Sequence, residues 1–274
     1  MKPLRLGRMG YLNVLPLYHP LEIGAAPGDF EVTAGVPRTL NTLMAQGALD
    51  ISSNSSIEYA RRSDQYLLIP DLAIGAKGAV QSVLLLSRLP PHDLHRNPLL
   101  VSTQTHTAGA LLQLLMIRHF RIEPDYVEGD AEQVLAAGDR PDGMLLIGDQ
   151  ALNLRNHPDY PHRLDLGEAW RLWTGLPFIF GVWLVRREAA AKDPERIAQA
   201  VDAMLKAKAW GAAHMEEMVQ LAARQCPLTE REMASYFRGL SYDLRERELQ
   251  GLATFFRMMA ETGLIKEAPV MEFI

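Results

Sequence analysis

Short apolar runs alternate with helix-patterned stretches along the first two-thirds of the chain, and the last third is patterned as helix almost throughout. The runs Leu4–Leu6, Tyr66–Ile69, Val83–Leu86, Leu99–Ser102, Gly143–Ile147 and Ile179–Val185 predict buried strands. Continuous apolar character of this kind suits parallel or mixed sheets covered on both faces. Pro37–Gln46 predicts a helix, with proline at its start, Leu40, Leu43 and Met44 at helical spacing, and Gly47 to stop it. Ala108–Phe120 predicts a second, through the stripe Leu111, Leu112, Leu115 and Met116. From Asp193 onward helical signals dominate. Asp193-Pro194 is an N-cap followed by a first-turn proline, Thr229 and Glu232 have capping-box spacing, and Leu249, Leu252, Phe256 and Met259 recur before Gly263. The charges Arg245–Glu248 read as a solvated face, and 88–98 and 155–162 read as loops.

This order predicts an α/β protein of two lobes. Lobe 1 is discontinuous, 1–88 plus 178–274 with the C-terminal helices, and lobe 2 is the insertion 89–177. The crossings are expected near Ser87–Leu89 and Pro177–Gly181. A chain that crosses twice makes a cleft, and clefts between lobes are favoured ligand sites.

Composition narrows the partner. With 274 residues, 48% hydrophobic and 22% charged, the chain is long enough for two modest cores. A formal net charge of −5 argues against a general nucleic-acid binder but leaves room for a small anion, which responds to the local field. No apolar segment approaches a membrane span, and Arg5, Arg8 and Asn13 interrupt what a signal peptide would keep apolar, so the cytoplasm is the expected compartment. The single cysteine, Cys226, reads as a small buried hydrophobe.

Familiar catalytic motifs are absent from the sequence. The eight histidines form no H-E-x-x-H pattern, so no metal is expected. There is no P-loop, dinucleotide fingerprint or G-x-S-x-G elbow. Three polar clusters remain, each where a strand is expected to end. Gly10–Asn13 follows the opening strand, and Asn13 suits either a carboxylate or hydroxyl ligand or an Asx turn. Ile51–Ser56 and Ser102–Thr107 read as polar helix starts, whose free N–H groups bind anions when they are not simply capped. Two such starts facing each other across a cleft suit a ligand with two acidic groups.

An ordered set of segments resembles the chorismate dehydratase family of the futalosine route to menaquinone. The set runs through Arg5–Pro16 with its Gly10-Tyr11-Leu12-Asn13, Gly35-Val36-Pro37 with Leu40-Asn41, Ser55–Ala60, Leu67–Leu72 and Ser82–Arg88. It continues through Leu146–Asp149, Asp165–Trp170 and Thr174–Phe178, densely over the first two-thirds of the chain. The resemblance implies a fold like type II periplasmic binding proteins and a hydro-lyase that takes water from chorismate, a dicarboxylate, with no cofactor. It implies Asn13 as the catalytic or orienting group, Ser55, Ser56 and Ser82 as substrate contacts from lobe 1, and Thr105 and Thr107 as contacts from lobe 2. Asp149, after a strand, is placed to touch the substrate hydroxyl or to cap a helix. Ala108 stands where relatives often carry a second hydroxyl, and His106 stands in a stretch that is usually small. His106 is therefore read as a substrate contact, a general base or a helix-start histidine. The alternatives are 1,4-dihydroxy-6-naphthoate synthase of the same pathway, which the Gly10–Asn13 opening fits less well, and a non-catalytic small-anion binder.

Overall fold

The computed structural model describes residues 2–102 and 105–274. The chain opens with β1 (Leu4–Met9), a 3₁₀ turn at Leu12–Val14 and α1 (Leu15–Glu22), followed by β2 (Phe30–Gly35) and α2 (Pro37–Ala45). Next come β3 (Ile51–Ser55), α3 (Ser56–Arg61), β4 (Tyr66–Ala76), β5 (Val83–Ser87), β6 (Pro98–Val101) and α4 (Thr107–Leu114). α4 runs on as a π-helical turn, Leu115–Phe120, so the expected helix is continuous but changes its hydrogen-bond step midway. Then follow β7 (Asp125–Glu128), α5 (Ala131–Ala136), β8 (Gly143–Ile147), α6 (Gly148–Leu154), β9 (His162–Asp165), α7 (Leu166–Thr174) and β10 (Phe178–Arg186). The tail is α8 (Arg187–Lys192), α9 (Pro194–Ala213), α10 (Met215–Ala223), α11 (Glu230–Gly239), the short β11 (Leu240–Ser241) and α12 (Glu246–Glu261).

Among the described residues the strands form two mixed sheets, ordered β11-β4-β10-β3-β1-β2 and β7-β6-β8-β5-β9. β3 lies parallel to β1 and antiparallel to β10. β5 belongs to the second sheet, between β8 and β9. The chain therefore leaves the first sheet within 77–82, ahead of the crossing expected near Ser87–Leu89, because the apolar run Val83–Leu86 pairs with β8. It returns between α7 and β10. One buried cluster joins both sheets, with Leu111 of α4, Leu115 of the π-helical turn after it and Trp170 of α7 packed among residues such as Phe178 and Phe255.

β3 changes the expected polar helix start: the helix begins only at Ser56, and the residues before it are a strand. Its sequence ISSNS is a fully buried central strand. The hydroxyls and amide are tolerated there because neighbours bond most of them, as buried polar groups require. Ser53 Oγ accepts from the Met9 N–H at 3.0 Å and lies 3.0 Å from the Tyr18 hydroxyl, and Asn54 Nδ2 donates to Asn41 Oδ1 at 2.7 Å.

The helical tail follows its signals. Asp193 accepts from the Arg196 N–H, and Thr229 and Glu232 form a reciprocal capping box. The solvated reading of Arg245–Glu248 fails at Glu248, which is 5% exposed with Lys77 at 3.8 Å, since it falls on the inner face of α12. Cys226 is only half-buried, packed at the edge of the α10–α11 core. α9 crosses α1 so closely that a Cβ on Gly211 would lie 2.0 Å from the Pro16 carbonyl oxygen. The last residues lie along β4. The Leu68 N–H donates to Glu272 O and the Ile274 N–H to Leu68 O, covering a stretch of edge that β11 does not reach.

Candidate active site

Where the two sheets meet, a cavity is lined by Met9, Tyr11, Asn13, Ser55, Ser82, Thr105, His106, Thr107, Gly148 and Phe180, with further apolar residues around them. It is partly open to solvent, and its lining, mostly apolar with a few convergent polar groups, has the character of a small-molecule site.

Asn13 sits on the 3₁₀ turn after β1. It caps nothing: the turn has no side-chain cap, and Asn13 Oδ1 is buried without a hydrogen bond. Its backbone carbonyl accepts from the Tyr242 hydroxyl at 2.8 Å. Tyr236, from α11, donates to Ser82 Oγ at 3.1 Å, and its hydroxyl also meets the Asn13 side chain. Burial raises the Tyr236 phenol above its ordinary value, so it stays a protonated donor.

Ser55 precedes α3 and receives a hydrogen bond from Asn41 Nδ2 at 3.1 Å, which leaves its own proton for a ligand. Ser82 holds Val80 O only at 3.4 Å, so its proton too can turn into the cavity. Thr105 Oγ1 donates to Ser102 O at 2.6 Å and keeps its lone pairs. His106 lies with Nδ1 3.1 Å from Asn41 Nδ2. Burial first, then Arg61 and Arg38, hold its imidazole below the ordinary histidine value, favouring the neutral ring.

Three residues of the expected set are used differently. Ser56 Oγ donates to Ile179 O at 2.8 Å, and Ser56 does not line the cavity. A hydroxyl has one proton, so the 3.3 Å contact between Ser56 and Thr107 takes its proton from Thr107, whose Oγ1 also accepts from the Ile57 N–H at 3.1 Å. Thr107 thus reaches the wall with its donor committed, and the expected pair of opposed helix starts is one interlocked contact. Asp149 stands behind the lining rather than on it. Its carboxylate accepts from the Leu12 amide, one oxygen is buried and unpaired, and burial raises its pKa. It in turn helps burial push the Tyr11 phenol up to about 12. Gly148, beside it, adopts φ +57° with the Tyr11 ring 2.7 Å from where a Cβ would be, so only glycine fits. Thr103 and Gln104 of the third polar cluster lie outside the described residues.

Asn41, Tyr236 and Tyr242 are site neighbours to which sequence reading gave no role. The signal for Asn41 was present: it is the polar member of the buried stripe Pro37, Leu40, Asn41 and Met44 on α2.

A profile of the family described as menaquinone biosynthesis matches residues 4–261. The chain is 32% identical to a chorismate dehydratase of Thermus thermophilus, over 93% of this chain and 94% of that one. It is 27% identical to a 1,4-dihydroxy-6-naphthoate synthase of the same organism, over the full length of both. Among solved structures, a protein of Archaeoglobus fulgidus superposes with TM-score 0.76 at 19% identity, covering 95% of this chain and 98% of that one. A Candida albicans protein with the generic periplasmic-binding-protein fold superposes with TM-score 0.73 at 8% identity, covering 98% and 92%. These structural likenesses establish the fold, which is periplasmic-binding-protein-like.

Proposed function

The chain belongs to the menaquinone-biosynthesis family, and from that premise we propose that it is a chorismate dehydratase working in the cytoplasm. The observation that carries the reading is the chorismate dehydratase relative that accompanies nearly the whole chain, and the cavity chemistry agrees with it. No helix among the described residues is long and apolar enough to cross a membrane.

In the proposed reaction the C–H bond at the ether-bearing ring carbon and the C–O bond of the neighbouring hydroxyl break. Water leaves, and the ring becomes the aromatic 3-[(1-carboxyvinyl)oxy]benzoate. Aromatisation supplies the driving force, so the protein's work is orientation and modest proton handling. The hydroxyls of Ser55 and Ser82 donate to carboxylate or ring oxygens, and Thr105 and His106 hold the other end. Asn13 Oδ1, buried and unpaired, accepts a hydrogen bond from the substrate hydroxyl and so fixes its orientation. The described residues lining the cavity include no Asp, Glu or Lys. In this reading a carboxylate of the substrate itself takes the ring proton and passes it to the departing hydroxyl, which leaves as water.

The test is to incubate the metal-stripped protein with chorismate and follow products by chromatography with mass detection. The expected result is protein-dependent loss of one water, giving the aromatic enol ether, with Asn13→Ala slower by roughly 100-fold, the scale of one positioned catalytic group. Chorismate returned unchanged by folded protein would overturn the reading. Full turnover by Asn13→Ala would remove the role given to Asn13.

A further inference from the structure

Asn41 is 4% exposed and has every polar atom engaged. Its Oδ1 accepts from Asn54 Nδ2 at 2.7 Å, and its Nδ2 faces both Ser55 Oγ and His106 Nδ1 at 3.1 Å. It stands on α2, against the first sheet, while His106 stands at the start of α4, so this one amide spans the cavity wall between the two parts of the chain.

An amide NH₂ can only donate, so a hydrogen bond to it requires an unprotonated ring nitrogen. Turning both amides over would reverse the pattern, but it would leave the Asn54 N–H donors buried where its Oδ1 now sits without a partner. Orphaned buried donors are rarer than under-satisfied carbonyls, which favours the arrangement described. We infer that Asn41 is a positioning residue that holds neutral His106 as the Nε2–H tautomer, making His106 a hydrogen-bond donor to the substrate and not its general base. The basic nitrogen of that tautomer is Nδ1, which Asn41 occupies. The same amide leaves the Ser55 hydroxyl proton free, so one side chain sets two donors.

The tautomer stands independently of which substrate binds, whereas its catalytic consequence rests on the chorismate reading. Histidine labelled with ¹⁵N in the ring is introduced into the whole protein, and long-range ¹H–¹⁵N spectra are recorded near pH 7.5. The His106 signals are identified by their loss in His106→Gln. The expected wild-type spectrum shows Nε2 protonated and Nδ1 bare. Asn41→Asp, which turns the donor into an acceptor, puts a proton on Nδ1, and Asn41→Leu abolishes the preference. A wild-type ring protonated on Nδ1, or a tautomer that neither variant alters, overturns the inference, and the wild-type spectrum decides even if a variant does not fold. With chorismate, Asn41→Asp lowers kcat/KM by about tenfold, the worth of one lost hydrogen bond. His106→Gln, which keeps a side-chain N–H donor in altered geometry, lowers kcat/KM by about tenfold, the worth of one weakened hydrogen bond, where loss of a true base costs kcat about 100-fold or more. A full loss of kcat in His106→Gln would also overturn the donor role. Absence of turnover by wild-type protein would instead count against the chorismate reading and leave the spectrum to decide the tautomer.

Discussion

At the scale of single residues, the site works by settling which hydroxyl protons are free. Ser56 and Thr107 spend theirs on protein partners, while Ser55 keeps one because Asn41 donates to it. Asp149 is held where its charge is a liability, since burial raises its carboxyl above the unfolded value. For such a group the native state gives up stability as pH rises through the folded pKa, and nothing is lost below the unfolded one. Asp149→Asn is therefore expected to melt at a higher temperature than the parent at pH 8. The gap should close as pH falls toward about 4, the ordinary carboxylate range. Melting curves of both proteins across that range check it. A gap independent of pH would mean that the charge is not the cause.

At the scale of elements, strands and helices made of apolar runs were legible and β3 was not. Serine and asparagine in ISSNS look like a polar helix start because the partners that satisfy them are remote in sequence. Met9 lies 44 positions from Ser53, and Tyr18 lies 35 from it. For the same reason the candidate residues were found as separate helix starts, whereas the contact that welds Ser56 to Thr107 spans 51 positions and leaves no local trace. Asn41 shows the limit from the other side. A lone polar residue in a buried helical stripe announces that something must bond it, but pattern alone does not say what. The packing of α9 on α1 carries its own prediction. A methyl at Gly211 collides with the Pro16 carbonyl, which is backbone and cannot swing aside. Gly211→Ala should cost about 2–3 kcal/mol by overpacking, against the modest gain alanine normally gives a helix interior. Urea unfolding measures it, and a stabilised variant would show that the two helices slide apart freely.

For the whole molecule, the strand at the margin of the first sheet is finished by the chain's own end. Leu68 is bonded to Glu272 and Ile274, Tyr59 accepts from the Glu272 N–H at 2.7 Å, and Arg187 pairs with the Glu272 carboxylate. Removing residues 270–274 bares part of β4 as an unpaired edge, a template for pairing with another copy. The truncated protein is expected to lose roughly 1–3 kcal/mol of stability, the worth of a few backbone hydrogen bonds, and to scatter light on warming before the full chain does. Its kcat should be unchanged, because the tail does not reach the cavity. An unaltered melting and scattering profile would show that the tail only rests on the sheet. The two-sheet architecture itself was readable from the order of elements. The crossing was misplaced because an apolar run says that a strand is buried without saying which sheet it joins.

The lock between Thr107 and the first turn of α3 bears on how such a molecule can be inherited. α3 has six residues, fewer than a helix needs to stand alone in water, and the Ile57 amide in its first turn is closed by a hydroxyl from a segment 50 positions away. Neither part of the chain is therefore a portable module. A chimera that joins the central segment of one relative to the flanking segments of another keeps a formed α3 only if the hydroxyls at positions 56 and 107 travel as a pair.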